Sequence, residues 1–435
     1  MDGDAHDLEL LLTSAEQEIR AIREDPRLAP LTGSRGTALR SHVLDLLNAV
    51  THRMARRPSA RASAAALQSY ARGIRLSILM LRGAHAALPW LEATRSPTIN
   101  LGSVYLTESY ARTLIGPDVD LVIVPDPDFM YTTTSAPFAD VIDTTRGFTA
   151  TTVRRPIVLN YPLSDSDRLL LHSSFAHELG HTAVDVFALV ADVMNRLDDE
   201  PRYMEALGKT VRQFKADVWP ASSEARITGT LRARLRVWIE ELLCDLLAVE
   251  SAGPAFAWAF AVFGLPLSYG DPLVSHPPNT LRTKLMLQHL ADRGWRGFME
   301  RVAPGVTRWL DEVGADAKGA LPPDFAFLRD QLLAHRQILQ RVAIERANDN
   351  ALDVEALAAG ASDAAGLLQR LILPLGSNGP LPAQAILLGG WQYAFAEHGD
   401  DPSGLVRAIA DMRLQTLLGK AVEMSTVAAE WEDTQ

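Results

Sequence analysis

The chain has 435 residues, of which 47% are apolar and 22% charged, enough for two to four domains of about 100 to 200 residues and too apolar for a disordered, collagen-like or low-complexity protein. Lys and Arg number 42 against 53 Asp and Glu, a formal net charge of -11, so the basic surface that dominates nucleic-acid affinity is missing and no nucleic-acid partner is expected. One cysteine, Cys244, excludes an internal disulfide and a Cys-rich zinc ribbon and fits a reducing compartment.

Met1 to Asp7 is acidic where a secretory signal would be basic, which predicts no export and a cytoplasmic location. The 37 Arg against 5 Lys suggest a GC-rich bacterial genome and say nothing about function. From Asp7 to about Leu91 apolar residues recur at helical spacing, through Leu8, Leu11, Ile19 and Ile22, then Val43, Leu47 and Val50, then Leu67, Ile74, Ile78 and Leu81. Breaks at Pro26, 30–36 and Pro58 divide this stretch into three helices. Between residues 46 and 91 there are seven Arg and no acidic residue. A solvated helical face accounts for them, with docking of an acidic partner or segment as the alternative.

The pattern changes near Ser96. Short β-rich runs, Ile99 to Leu106, Asp120 to Val124 and Val153 to Asn160, are separated by turn-forming and Thr-rich stretches. Ser164 followed by Asp167 resembles a capping box, predicting a helix that runs through Leu169, Leu170 and Phe175. The remainder reads as helix broken by Pro and Gly. Ser251 to Gly270 is uncharged, but Pro254 and Pro266 make it a buried core helix ending in a loop, so no integral membrane segment is expected. The expected organisation is α+β and mainly helical: a helical region over 1–95, a central region with a small mixed sheet and an active-site helix over 96–300, and a helical region over 301–435.

Chemistry concentrates in Phe175-Ala176-His177-Glu178-Leu179-Gly180-His181-Thr182. Histidines four apart on a helix are separated by about 40° around its axis and one turn along it, so both imidazoles can reach one divalent ion. Glu178 would sit beside that ion as general base for its water. The short pattern also arises on surface helices with unrelated histidines. Here it follows an apolar run and a strand-like segment, and Gly180 leaves room for another element to pack closely.

A catalytic zinc site of this kind takes a third protein ligand. A metzincin would need His at 187 and Gly at 184, where this chain has Phe187 and Val184. Downstream, Glu241 and Asp245 are four apart in a Leu-rich helix, on one face with Trp238 and Ala248, whereas Glu240 points about 100° away with Cys244 and Leu247. Acids in such a helix are costly to bury without a cation. Glu241 is therefore the expected third ligand, and Asp245 the acceptor for the second ring N–H of a ligating histidine.

His-Glu-x-x-His followed by Glu-x-x-x-Asp resembles the gluzincin metallopeptidases, of which thermolysin is the familiar member. The resemblance implies a zincin-like core in which His177, His181 and Glu241 bind Zn2+, Glu178 is catalytic and Asp245 lies behind the ligands. Sixty residues separate His181 from Glu241, far more than in thermolysin, which calls for a helical insertion over about 185–236. Ser275-His276-Pro277-Pro278-Asn279-Thr280-Leu281-Arg282 is similar to the His-Pro-Pro...Arg segment of CAAX prenyl peptidases. That similarity implies that His276 donates to the developing oxyanion and that Arg282 anchors the loop or assists. In zincins a substrate strand pairs with an edge strand beside the active-site helix, and Val153 to Asn160, with Pro156 suiting an edge, fits that place; Arg154 and Arg155 would then flank the cleft and favour acidic substrate residues.

The resulting expectation is a zinc-dependent metallopeptidase acting on a peptide or protein substrate. Two alternatives stay open: a regulatory or scaffold protein that retains a metallopeptidase core and binds a protein partner through its helical N- or C-terminal region, and a metal-dependent amidase with a non-protein substrate.

Overall fold

A computed structural model describes residues 2–29, 36–59, 62–95, 99–126, 132–135, 155–265, 275–316, 321–347, 352–376 and 379–432. It is mainly helical with a small three-stranded mixed sheet. Two compact units emerge, one from 1–98 and 117–161, the other from 99–116 and 162–435. No helix among the described residues is long and apolar enough to cross a membrane.

The first unit contains the three expected helices, α1 (Asp2–Glu24), α2 (Thr37–Ala55) and α3 (Ala64–Arg95). Its core joins Ile19, Ile22, Val43, Leu47, Leu81 and Leu88 to Val122 and Val158 of the sheet. Two of the arginines of 46–91 pair with acids within this same unit: Arg57 with Glu9 at 2.6 Å and Arg82 with Glu18 at 3.0 Å. Helix α1 is thus the acidic segment that lies against part of the basic stretch.

The sheet departs from expectation. Strands β1 (Val119–Asp126), β2 (Thr132–Ser135) and β3 (Arg155–Pro162) are ordered β1-β3-β2, so β3 is central and the expected edge strand at Val153 to Asn160 is corrected. Among the described residues, the antiparallel register with β2 runs from Ile157↔Ser135 to Asn160↔Thr132. β2 itself lies in the stretch read as Thr-rich turn. The expectation for Arg154 and Arg155 falls on side chains outside the described set.

The second unit begins with α4 (Leu101–Leu114), which replaces the strand expected over Ile99 to Leu106. Asn100 caps it by accepting from the Gly102 amide at 2.8 Å, and the buried Ser103, Leu106, Tyr110 and Leu114 form a helical stripe. The capping box at Ser164 is also corrected. Ser164 Oγ bonds the Asp165 carboxylate, and Arg168 Nη1 reaches the same oxygen at 3.2 Å. These local bonds hold two 3-10 turns, Leu163–Asp165 and Leu169–Ser173, before the α-helix starts.

That helix, α5 (Ser174–Val186), is followed by α6 (Leu189–Asp198) and α7 (Pro201–Asp217), and then by the long α8 (Glu224–Ala252), so the residues between 185 and 236 are largely helical. The N-terminal half of α8 buries Ile227, Leu231 and Leu235, one stripe at i, i+4 and i+8; from Leu242 onward every residue is buried. Gly253, at φ 59° and ψ -145°, ends it in a conformation that side chains disfavour. Pro254 starts α9 (Pro254–Phe263), the buried helix expected within Ser251 to Gly270. Trp258 of α9 packs 5.1 Å from Phe395 and 5.9 Å from Trp391, centroid to centroid. α10 (Asn279–Asp292) completes the surroundings of the site, and eight further helices follow to Glu432 among the described residues.

Candidate metal centre

Helix α5 contributes His177, Glu178 and His181, and helix α8 contributes Glu240, Glu241, Cys244 and Asp245. Their approach depends on Gly180: a Cβ at that position would fall 3.0 Å from Cys244 Cα and 3.1 Å from its Cβ. The room anticipated at Gly180 is filled by the α8 backbone.

Among the described residues, His177, His181 and Glu241 form a group whose ligand atoms lie within 4.8 Å of one another. His177 Nε2 is 3.6 Å from Glu241 Oε2, and His181 Nε2 is 3.7 Å from Oε1. Ligands about 2.0 to 2.2 Å from one tetrahedral ion are roughly 3.4 Å apart, so little movement separates this arrangement from a coordination shell. The two imidazoles are nearly perpendicular, with centroids 5.1 Å apart. Glu241 Oε2 is buried and accepts no hydrogen bond among the described residues, with Arg282 Nη2 at 3.8 Å, beyond hydrogen-bond reach, an expensive condition for a carboxylate oxygen and one that a closer cation would relieve.

Behind these three stand groups that fix their orientation. Asp245 Oδ1 is 2.9 Å from His177 Nδ1, leaving Nε2 facing Glu241. Arg282 of α10 donates from Nε to Asp245 Oδ2 and from Nη2 to Oδ1, each at 2.7 Å. Its guanidinium also covers the Phe260 ring at 4.7 Å, while the His177 ring stacks on Phe256 at 6.0 Å. Burial alone would raise the Asp245 carboxyl, but the Arg282 charge and hydrogen bonds, with His177, hold it down to about 2. Arg282 thus does more than anchor a loop.

His181 Nδ1 meets Glu240 Oε1 at 3.1 Å. Spacing along α8 set Glu240 aside, and this contact is the one the sequence missed. It depends on how α5 crosses α8, which no local pattern encodes; the two adjacent acids, Glu240 and Glu241, are the only signal. Burial lowers the His181 imidazole, but the Glu240 hydrogen bond and the nearby Cys244 and Glu241 groups oppose that and shift it upward in the metal-free chain. Burial pushes the Cys244 thiol up to about 12, which keeps it a neutral packing group.

Burial also raises the Glu178 carboxyl against the opposing pull of His177 and His181. His276 is partly exposed: its Nε2 lies 3.4 Å from Glu241 Oε1, and its Nδ1 is 2.8 Å from Ser275 Oγ. The structure therefore gathers His177, His181, Glu241, Asp245, His276 and Arg282 into one cluster. Comparisons of the chain with family models, curated proteins and solved structures found no match.

Proposed function

We propose that this chain is a zinc-dependent metallopeptidase of gluzincin type, with a zincin-like core that hydrolyses a peptide or protein substrate. The observation that carries the reading is Glu241 Oε2, buried without a hydrogen bond among the described residues and facing His177 Nε2 beside a second imidazole. Two imidazoles and one carboxylate are a donor set suited to zinc with a position left open. His177, His181 and Glu241 would hold the ion, which when bound supplies the Lewis acidity that activates water near neutral pH.

The remaining work falls to the chain's own groups. Glu178, made more basic by burial, takes the proton of the attacking water and delivers it to the nitrogen of the departing amine. His276 Nε2 donates to the oxygen on which charge develops, a contribution of about 3 to 4 kcal/mol where such donors have been removed elsewhere. Asp245 and Glu240 keep the two imidazoles turned with Nε2 inward.

Metal content of the purified chain, measured together with hydrolysis by wild type and Glu178→Gln, tests this reading. The expected result is one zinc per chain in both forms and a loss of about 100-fold or more in hydrolysis for Glu178→Gln. A chain that takes up no zinc, or a Glu178→Gln variant that cleaves a substrate as fast as wild type, overturns it.

A further inference from the structure

The two imidazoles are held by carboxylates of unlike electrostatic standing. Asp245 is buried, and Arg282 cancels its charge through two hydrogen bonds. The Glu240 side chain is 45% exposed and bonds His181 Nδ1, and no Lys or Arg pairs with it among the described residues. A carboxylate whose charge is already neutralised mainly orients its histidine. An unneutralised carboxylate adds negative charge to the imidazole it bonds and strengthens that nitrogen's opposite lone pair toward a cation.

We propose that Glu240 is a positioning residue whose uncancelled charge, passed through His181 Nδ1–H, sets the affinity of the site for a divalent cation. The inference rests on the metal-centre reading above and adds to it an unequal division of labour: Asp245 with Arg282 fixes geometry, and Glu240 tunes strength. Because Glu240 is half exposed and lies outside the packed interior of α8, its effect on metal binding separates from any effect on folding.

The test is titration of the metal-free full chain with Zn2+ against a chromophoric chelator, alongside the thermal midpoint of each metal-free variant. Glu240→Gln keeps an acceptor of the same shape for Nδ1–H and removes only the charge. It is expected to weaken zinc binding by about tenfold, with a smaller proportional loss in the metal-free midpoint from the His181 contact it also weakens there. Glu240→Ala is expected to weaken it further, and Glu240→Asp, which restores the charge, to recover part of the loss. Equal zinc affinity in Glu240→Gln and wild type overturns the inference while leaving the metal centre standing, as does a weakening matched by a comparable loss of metal-free stability. Absence of zinc binding by wild type removes the underlying reading and this inference with it.

Discussion

Arg282 and Asp245 form a buried, two-armed ion pair, with Nε to Oδ2 and Nη2 to Oδ1 both at 2.7 Å, and it joins α10 to α8 directly behind His177. Both residues are at most 8% exposed, so neither charge has water to fall back on. Arg282→Met should therefore strand a carboxylate in the interior and destabilise the metal-free chain by about 3 to 5 kcal/mol, the usual result of breaking one side of a buried pair. Arg282→Lys keeps the charge but cannot make both parallel bonds, and should fall between. Urea unfolding measures both, and a cost under about 1 kcal/mol for Arg282→Met would mean that Asp245 does not depend on its partner.

Gly180 offers a prediction in which two effects have opposite signs. Replacing a helical Gly by Ala raises helix propensity by about 1 kcal/mol, yet the new methyl would sit 3.0 Å from Cys244 Cα. That contact is with backbone inside a packed helix, which cannot swing aside as a side-chain tip can. Overpacking of this kind costs about 1 to 3 kcal/mol, so Gly180→Ala should be destabilising and should weaken zinc binding by moving α5 away from α8. Adding Cys244→Ala should not rescue it, since the Cα remains. A more stable Gly180→Ala variant with undiminished zinc affinity would contradict the close approach.

What the sequence reveals about this site tracks how local the information is. His177, Glu178 and His181 lie within one and a half turns, where helical periodicity alone sets their relative orientation. Glu241 and Asp245 stand out because acids in a Leu-rich helix are anomalous. The Glu240 contact with His181 spans 59 residues and depends on a helix crossing. The same rule holds for the fold. The helices of 2–95 follow from apolar spacing, and the apolar β1 was legible, whereas β2 is Thr132–Ser135, four small polar residues with no alternation to mark a strand. The apolar run of Ile99, Leu101, Val104 and Leu106 at the start of α4 suits a strand when read alone. Its helical nature is decided by the Asn100 cap and by burial that continues to Tyr110 and Leu114.

The start of α2 depends on a residue far away in sequence. Asp120 of β1 accepts from the Gly36 amide at 2.8 Å and from the Ala38 amide at 2.7 Å, and it is 3% exposed. It supplies the acceptors that α2 lacks locally, since Gly36 has no side chain to cap with. Asp120→Ala would leave buried amides without acceptors and should cost about 2 to 3 kcal/mol. Amide hydrogen exchange should accelerate first at Gly36, Ala38 and the opening turn of α2. Unchanged protection there would show that the cap is dispensable.

The acid response of the second unit should be set in part by His172. Its Nε2 lies 2.7 Å from the Asp165 carbonyl oxygen, which can only accept, so Nε2 carries the proton and Nδ1 accepts from Ser103 Oγ, also at 2.7 Å. The ring stacks on Phe175 with centroids 4.7 Å apart. Burial, opposed only in part by the Asp165 carbonyl and carboxylate, lowers this imidazole from 6.5 to about 4. Between those values the unfolded chain binds a proton that the folded chain does not, so stability must fall as pH drops from about 6.5 toward about 4. The loss attributable to His172 is on the order of 3 kcal/mol across that window and zero above it. His172→Gln should be less stable than wild type near neutrality but flatter through the window, because it has nothing to protonate. Urea midpoints in the presence of chelator at about pH 6.5 and about pH 4.5 measure the two slopes. Equal slopes would show that His172 is protonated in the folded chain as readily as in the unfolded one, and that the neutral imidazole is not what its two partners require.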